Sequence, residues 1–222
     1  MTPGERPAIR NVVFDLDGTL VDSCPGIEAC LRQALEAVEP GTALPPVESL
    51  IGPPVREMIA SLLLGRDADV LEAAESEFRR CYDAGGWRLT KTYEGADDAL
   101  SGLTFAGLHL FVLTNKPAGP TRTILDSLQW HDRFEAVVCR DSFTPPFADK
   151  AAAMAHLLSK YRLDPSRTVM VGDSADDVHA ACVNLVGFAA ACWGYGAAAS
   201  QPGVGFLLQR PMDLLGLLTA DA

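Results

Sequence analysis

The segment VVFDLDGTLVDS, residues 12–23, places three carboxylates in one short stretch directly after an apolar run. Asp15 and Asp17 are two residues apart, and Asp22 follows after a glycine and a threonine. Carboxylates this close repel one another unless solvent or a cation lies between them. Two acids at this spacing can share one reaction, because one can attack as a nucleophile while the other donates and then accepts a proton.

Polar side chains also follow two later apolar runs, FVLT and VMVG, and both runs are typical of buried strands. The residues concerned are Thr114, Asn115 and Lys116 after the first run, Asp173, Asp176 and Asp177 after the second, and Lys150 at the start of the helical segment between them. In open α/β sheets, ligands bind beyond the carboxyl ends of the strands. We therefore expect these side chains to meet the aspartates of the first segment in one site.

This set of groups suits phosphoryl transfer through an aspartyl-phosphate. Asp15 would attack phosphorus, and Asp17 would protonate the leaving alkoxide and then deprotonate the attacking water. Mg²⁺ prefers oxygen ligands, so Asp15, Asp173 and the backbone carbonyl of Asp17 are its predicted ligands. Thr114 and Lys150 would bind the phosphoryl oxygens. Each stretch alone is common in turns and helix starts, and it is their joint occurrence at strand ends that favours this chemistry.

The elements that must position these groups alternate along the second half of the chain. Residues Leu108–Thr114 and Thr168–Gly172 are predicted buried strands, Phe134–Val138 a predicted edge strand, and Gly187–Cys192 a further strand. Between them, Lys150–Tyr161 carries apolar residues at helical spacing. This alternation predicts an α/β fold, a doubly wound parallel sheet with right-handed crossovers and a Rossmann-like core.

Residues 24–90 interrupt the alternation with helical patterns and no convincing strand. The helical segments are GIEACLRQALEAV, PVREMIASLLL and Asp67–Tyr82. We predict a small all-helical cap domain at 24–90, inserted after the first strand of a core formed by 1–23 and 91–222. A helical insert on two linkers can act as a lid. Arg56 in this insert is a candidate contact for a second charge on a substrate, or else an exposed arginine on the polar side of its helix.

Composition indicates a globular chain and argues against nucleic acid as a partner. Of the 222 residues 48% are hydrophobic, and the net charge of −11 opposes binding to nucleic acid polymers. The six cysteines show no metal-binding spacing, so we expect thiols of a reduced cytoplasmic protein. We find no leader segment and no apolar run of bilayer length, so we expect no membrane partner. The sequence carries no signal for an oligomeric state.

FDLDGTLVDS, LTNK, Lys150 and GDSADD resemble the four motifs of the haloacid dehalogenase-like hydrolase superfamily, over nearly the whole chain. The resemblance implies a nucleophile at Asp15, an acid/base at Asp17, phosphate-binding residues at Thr114 and Lys150, and Mg²⁺ ligands at Asp15, Asp17, Asp173 and Asp177. Asn115, next to Thr114, is a further candidate for substrate binding. It implies only a helix-surface carboxylate at Asp176. Dehalogenases of this superfamily lack the second acid at the position of Asp17, so the resemblance favours a phosphate ester as substrate.

Smaller motifs bear on the class of substrate. TNKP and WGYG resemble the phosphoglycolate phosphatase branch with a helical cap, which implies a Mg²⁺-dependent phosphatase acting on a phosphoglycolate-like metabolite. FADKAAAM lacks the prolines of that branch around Lys150 and resembles 5′-nucleotidase-like members instead. A sugar-phosphate mutase of the same superfamily is a further alternative. A phospho-receiver switch uses similar groups, but its acidic pair and phosphoacceptor lie on different strands and it lacks a helical insert.

Overall fold

The structure is a computed structural model that describes residues 8–218, with side chains through residue 216. In chain order its strands are β1 (Asn11–Phe14), β2 (Val21–Asp22), β3 (Lys91–Thr92), β4 (His109–Thr114), β5 (Ala136–Cys139), β6 (Thr168–Gly172), β7 (Gly187–Ala191) and β8 (Phe206–Leu208). Six of them form a parallel sheet in the order β5-β4-β1-β6-β7-β8. In chain order, β4 and β5 are added on one side of β1, and β6, β7 and β8 on the other. Such a reversal of strand order leaves a crevice at the carboxyl ends of the strands, here where β1, β4 and β6 end.

Helices cover both faces of this sheet. The helices are α1 (Cys24–Val38), α2 (Val55–Leu62), α3 (Ala68–Ala84), α4 (Ala96–Phe105), α5 (Ala118–Ser127), α6 (Lys150–Tyr161) and α7 (Ala175–Val183). Successive side chains of a strand point to opposite faces. Val12 and Phe14 of β1 therefore pack with residues of α4 and α5, whereas Val13 packs with residues of α6 and α7. The predicted doubly wound parallel α/β fold is confirmed.

The predicted strands lie close to the observed ones. Those predicted at Leu108–Thr114, Thr168–Gly172 and Gly187–Cys192 correspond to β4, β6 and β7 within one residue at each end. The edge strand predicted at Phe134–Val138 is β5, which begins two residues later and lies at the edge of the sheet. We did not predict β8, β2 or β3, because two or three residues are too few to show a period.

Helices α1, α2 and α3 pack around an apolar cluster of their own, which includes Leu31, Ile59 and Phe78. The chain enters this helical segment after β2 and leaves it before β3, and these two strands pair antiparallel with each other. Helix α3 extends two residues beyond the predicted Asp67–Tyr82 segment. We retain the division into a core at 1–23 and 91–222 and a helical cap at 24–90 as a proposal. Within residues 8–218, no helix combines the length and the apolar character that a membrane crossing requires.

The prediction that all six cysteines are thiols is wrong for two of them. Cys30 on α1 and Cys81 on α3 form a disulfide, and their Cα atoms are 5.5 Å apart. The other four are free. Local patterns do not indicate this pairing, because 51 positions separate the two residues and only the packing of α1 against α3 brings them together.

Candidate active site

The predicted site residues that follow β1, β4 and β6 lie at one edge of the sheet. Strand β1 pairs with β4 on one side and β6 on the other, in register up to its last residue, Phe14. Asp15, Thr114 and Asp173 are all buried at this edge. The parallel register of the three strands is therefore what brings together residues that are far apart in the chain.

Lys150 lies between two of the aspartates. Its Nζ is 2.6 Å from Oδ1 of Asp15 and 2.5 Å from Oδ1 of Asp177, and all three side chains are buried. Lys150 is the first residue of α6, a helix that begins where the Asp149 side chain accepts a hydrogen bond from the Ala152 N–H. Burial alone lowers the pKa of Lys150, but the charges of Asp15 and Asp177 outweigh it and the pKa is raised. The ammonium is therefore held charged beside Asp15.

Asp173 is held by donors on both of its oxygens. Oδ2 accepts hydrogen bonds from the backbone N–H groups of Tyr195 (2.9 Å) and Gly196 (3.0 Å), and Oδ1 accepts one from Thr19 Oγ1 (3.1 Å). Burial first, and then the charge of Asp177, raise the pKa of Asp173 to about 6. Gly18 has a φ of +86°, and a Cβ there would lie 2.4 Å from Asp173 Oδ2. The turn after β1 therefore requires glycine at this position.

Three buried carboxylates form a cluster that fits a divalent cation. One oxygen each from Asp15, Asp173 and Asp177 lies within 4.8 Å of the others. Burial raises the pKa of Asp15 well above its ordinary value; the Lys150 ammonium opposes this rise, and the charges of Asp177 and Asp173 add to it. A hard cation among these oxygens would offset their repulsion, and carboxylate oxygens are the ligands that Mg²⁺ prefers.

The position of Asp177 within the cluster differs from that of the other two acids. Its Oδ2 accepts hydrogen bonds from the N–H (3.0 Å) and the Oγ (2.7 Å) of Ser174. The first of these, with the bond from the Asp177 N–H to Ser174 Oγ, forms the capping box of α7. Oδ1 of Asp177 faces Lys150. Both oxygens therefore have partners within the protein, and this geometry favours a role for Asp177 in orienting Lys150 over a role as a main metal ligand.

The Asp17 side chain lies outside this cluster and has partners of its own. Lys116 Nζ is 3.0 Å from its Oδ1 and 3.1 Å from its Oδ2, and Ser23 Oγ donates a hydrogen bond to Oδ1 at 2.6 Å. Asp17 and Asp15 also line the same cavity. The two neighbouring acids of the first segment are thus paired with different lysines.

Thr114 and Asn115 have different surroundings, although they are adjacent in the chain. Thr114 is buried and lines the cavity, and its Oγ1 accepts a hydrogen bond from the Lys116 N–H at 3.2 Å. Asn115 Nδ2 donates to the carbonyl of Gly52 and to Asp176 Oδ2, both at 2.9 Å. The prediction of a simple helix-surface carboxylate at Asp176 is wrong, because Asp176 is half-buried and orients Asn115. Asn115 therefore links this edge of the sheet to the loop before α2.

The cavity between the sheet edge and the helical segment has a volume of about 540 Å³. Its lining includes Arg56, Glu75, Phe78, Arg79, Tyr82 and Arg140 from outside the sheet edge. Arg56 Nη1 is 2.9 Å from Oε2 of Glu75, and Arg79 Nη2 is 2.7 Å from Oε1 of the same carboxylate. Two guanidinium groups thus share one carboxylate at the cavity wall, which leaves that trio with a positive charge.

The structure brings Lys116 to Asp17 and Tyr82 to Lys116. The sequence predicts Lys116 in the site but indicates no partner for it, and it places Tyr82 only at the end of a predicted helix. A tyrosine at helical spacing is usually a core residue, so its type gave no signal. The one available signal was the position of Lys116, two residues after Thr114 at the end of a buried strand. A lysine at such a position brings a cation into a low-dielectric pocket.

Comparison with known proteins identifies the family. The model of the family described as haloacid dehalogenase-like hydrolase matches residues 12–191. This chain belongs to the haloacid dehalogenase-like hydrolase family. The predicted family and the α/β fold class are confirmed, and the phosphatase names among the relatives support the predicted phosphoric monoester hydrolase.

Similar proteins carry different names. The tyrosine-protein kinase PtkA of Mycobacterium tuberculosis is 36% identical over 200 residues, which cover 89% of this chain and 66%, just under two thirds, of that relative. Phosphoglycolate phosphatase 1 of Pseudomonas aeruginosa is 32% identical over 193 residues, covering 84% of this chain and 70% of the relative. Among solved structures, a predicted phosphatase from Clostridium acetobutylicum superposes with a TM-score of 0.85 at 25% identity, covering 96% of this chain and 99% of that one.

Proposed function

We propose that this hydrolase is a Mg²⁺-dependent phosphatase that cleaves a small phosphomonoester through an aspartyl-phosphate on Asp15. The observation that carries the proposal is the pair of neighbouring acids with different partners. Asp15 is buried against Lys150 and two further carboxylates, whereas Asp17 lies outside that cluster. This difference supports nucleophilic attack by Asp15 beside a cation site and proton transfer by Asp17, which lines the same cavity.

In the first half of the reaction, a carboxylate oxygen of Asp15 attacks phosphorus and forms the aspartyl-phosphate. The bond from phosphorus to the ester oxygen breaks, and Asp17 donates its proton to the departing alkoxide. The Lys150 ammonium and the Thr114 hydroxyl bind the phosphoryl oxygens as negative charge develops on them. Lys150 already lies 2.6 Å from Asp15, so it needs no large movement to do so.

In the second half, Asp17 accepts a proton from a water molecule, which attacks phosphorus. The bond between phosphorus and the Asp15 oxygen breaks, and inorganic phosphate leaves. Asp17 is then protonated again for the next cycle, so protons balance over the two halves. A mutase would instead return the phosphoryl group to a second hydroxyl of the substrate.

Asp15, Asp173 and the backbone carbonyl of Asp17 would hold Mg²⁺, with Asp177 as a further candidate. When bound, the ion supplies positive charge that offsets the clustered carboxylates and the phosphoryl oxygens. Removal of the ion by a chelator is therefore expected to abolish turnover.

The proposed substrate is a small phosphorylated metabolite, phosphoglycolate first. Similarity to phosphoglycolate phosphatase 1 supports that choice, and Arg56 is the proposed contact for a second negative charge. The cavity of about 540 Å³ has room for a larger ester, so a nucleoside monophosphate and a sugar phosphate stay as alternatives. A metabolite of this kind is consistent with a cytoplasmic enzyme, which is the location we propose.

The test is phosphate release across a panel of 2-phosphoglycolate, nucleoside monophosphates and hexose phosphates. Each is assayed with Mg²⁺, with EDTA, and with Asp15→Asn as the blank. A lead of 2-phosphoglycolate supports the first choice, and a lead of nucleotides or sugar phosphates supports the corresponding alternative. Because one relative is named a tyrosine kinase, ATP with a tyrosine peptide is a further arm. Phosphotyrosine formation that exceeds phosphate release would contradict the hydrolase proposal.

A further inference from the structure

Lys116 is a buried cation at the junction of the sheet and the helical segment. Its side chain is 6% exposed, and its Nζ lies within 3.1 Å of both carboxylate oxygens of Asp17. The ring of Tyr82 on α3 also covers this ammonium, with Nζ 4.7 Å from the ring centroid. Lys116 therefore contacts both the proposed acid/base and a helix of the proposed cap.

The Tyr82 ring is itself held in place by α3 and the turn after it. It stacks on Phe78, with ring centroids 5.6 Å apart and an angle of 12° between the planes. It also packs near Gly86, where a Cβ would approach the ring to 3.2 Å. The Tyr82 hydroxyl is buried and has no hydrogen-bond partner among the described residues. The ring face toward Lys116 is thus the polar contact that Tyr82 makes at this junction.

The charges at this junction favour a fixed arrangement. The buried Lys116 ammonium is paired with the Asp17 carboxylate at 3.0 Å, so neither charge is left alone at the junction. Removing the lysine would leave Asp17 with Ser23 Oγ as its side-chain partner among the described residues. A carboxylate with one hydroxyl partner has more accessible rotamers than one whose two oxygens both face an ammonium.

We propose that Lys116 is a positioning residue for the acid/base Asp17, and that the Tyr82 ring makes this positioning depend on the closed arrangement of α3 over the sheet edge. When α3 covers Lys116, water is excluded and the contact with Asp17 is strengthened. When α3 moves away, Lys116 is hydrated and Asp17 is released. The inference rests on the proposed function, because it assumes that Asp17 transfers the protons.

The test uses substrates that differ in their need for an acid. An alkyl phosphate requires protonation of its leaving group, whereas a dinitrophenyl phosphate does not. Lys116→Met should lower kcat for the alkyl ester about 10- to 100-fold, part of the gain that general acid–base catalysis provides. It should leave the initial burst of dinitrophenolate fast but slow the steady rate that follows, because hydrolysis of the aspartyl-phosphate still needs Asp17 as a base.

Three variants separate positioning from a structural role. Lys116→Arg, which keeps a charge able to contact both oxygens, should restore part of the alkyl-ester rate. Lys160→Met is the matched control, since Lys160 also lies over aromatic rings but on the exposed face of α6, and it should leave both rates unchanged. Tyr82→Leu should reproduce the Lys116→Met pattern at about 3- to 30-fold, the range of a cation–π contact. If Lys116→Met fails to fold, the rates of Tyr82→Leu on the two esters test the inference in its place.

A double-mutant cycle with Asp17→Asn tests whether Lys116 acts through Asp17. If it does, adding Lys116→Met to Asp17→Asn changes kcat by less than about twofold, because the two changes remove one function. Multiplied losses, or a dinitrophenolate burst slowed as much as the alkyl-ester kcat, overturn the inference and indicate that Lys116 binds substrate or supports the fold. If Asp17→Asn alone shows no dependence on the leaving group, the acid/base assignment in the proposed function fails instead.

Discussion

At the residue scale, Asp15 and Asp17 differ only in their surroundings. Asp15 faces Lys150 and the carboxylate cluster, whereas Asp17 faces Lys116 and Ser23. Two carboxyl groups that share a turn can take different roles when they differ in burial and in the groups that contact them. The chemistry is therefore expected to be asymmetric between them.

Substitution of either acid by its amide should show this asymmetry. Asp15→Asn is expected to abolish turnover, since an amide cannot form the aspartyl-phosphate. Asp17→Asn is expected to lower kcat about 10²- to 10⁴-fold, the contribution of general acid–base catalysis. Steady-state phosphate release and the thermal midpoint measure both variants. An Asp15→Asn protein that folds and retains turnover would rule out the proposed mechanism.

Gly18 and Gly107 offer a matched pair for the turn after β1. Both have φ above +80°, but a Cβ on Gly18 would lie 2.4 Å from Asp173 Oδ2 and one on Gly107 would meet nothing within 4 Å. Each alanine variant should lose about 1 kcal/mol or more of stability from backbone strain. Only Gly18→Ala should also lose the rise in thermal midpoint that Mg²⁺ produces. Equal responses of both variants to Mg²⁺ would contradict the placement of the ion at Asp173.

At the element scale, α1 and α3 are joined covalently as well as by packing. The disulfide between Cys30 and Cys81 closes a loop with a sequence separation of 51. Helix α3 carries Tyr82 as well as Cys81. Through the contact between the Tyr82 ring and Lys116, α3 also lies against the sheet edge. The stability of this helix pair is therefore expected to matter for the site.

Reduction should lower the stability of the oxidised protein. A disulfide that closes a loop of this length contributes about 4 kcal/mol in the chain-entropy model, which corresponds to a lower thermal midpoint by about 5–15 °C. Cys30→Ser should reproduce the effect without reductant. Cys182→Ser, which changes an exposed free thiol, is the control and should have no such effect. An unchanged midpoint for Cys30→Ser would show that the bridge does not stabilise α1 and α3.

At the scale of the whole molecule, folding buries an acidic cluster whose charge depends on pH. The pKa of Asp173 rises to about 6 from an ordinary value of 3.8, and that of Asp15 rises in the same direction. Between pH 3.8 and about 6 the folded protein holds a proton on Asp173 that the unfolded chain has lost. The metal-free protein therefore loses stability as pH rises through this window, by about 3 kcal/mol from this group.

Mg²⁺ should reverse this loss. Above about pH 6 the Asp173 carboxylate is ionised and ready to bind the ion. Below that pH the ion must displace a proton from Asp173, so Mg²⁺ binds more weakly there. The rise in thermal midpoint caused by Mg²⁺ should be larger at pH 7.5 than at pH 5. Differential scanning at the two pH values, with K⁺ at equal ionic strength as the control, measures this. An equal rise at both values would mean that Asp173 does not titrate with the ion.

Local patterns were sufficient for the order of strands and helices and for the chemistry of the strand ends. Alternation of buried runs with helical periods predicted the parallel sheet, because hydrophobic periodicity reflects which faces must be buried. The spacing of Asp15 and Asp17, and the polar residues after β4 and β6, then located the site at one sheet edge. Each of these inferences depends on residues close in the chain or on the general geometry of parallel sheets.

The amino-acid sequence by itself determined the family, the fold class and the set of reactive groups at the strand ends. Only the tertiary structure decided which groups are partners: Lys116 with Asp17, Lys150 with Asp177, Asn115 with Gly52, and Cys30 with Cys81. The physical reason is the range of the interactions. Periodicity and capping act over a few residues, whereas these contacts join positions 27 to 99 residues apart and exist only once helices have packed on the sheet.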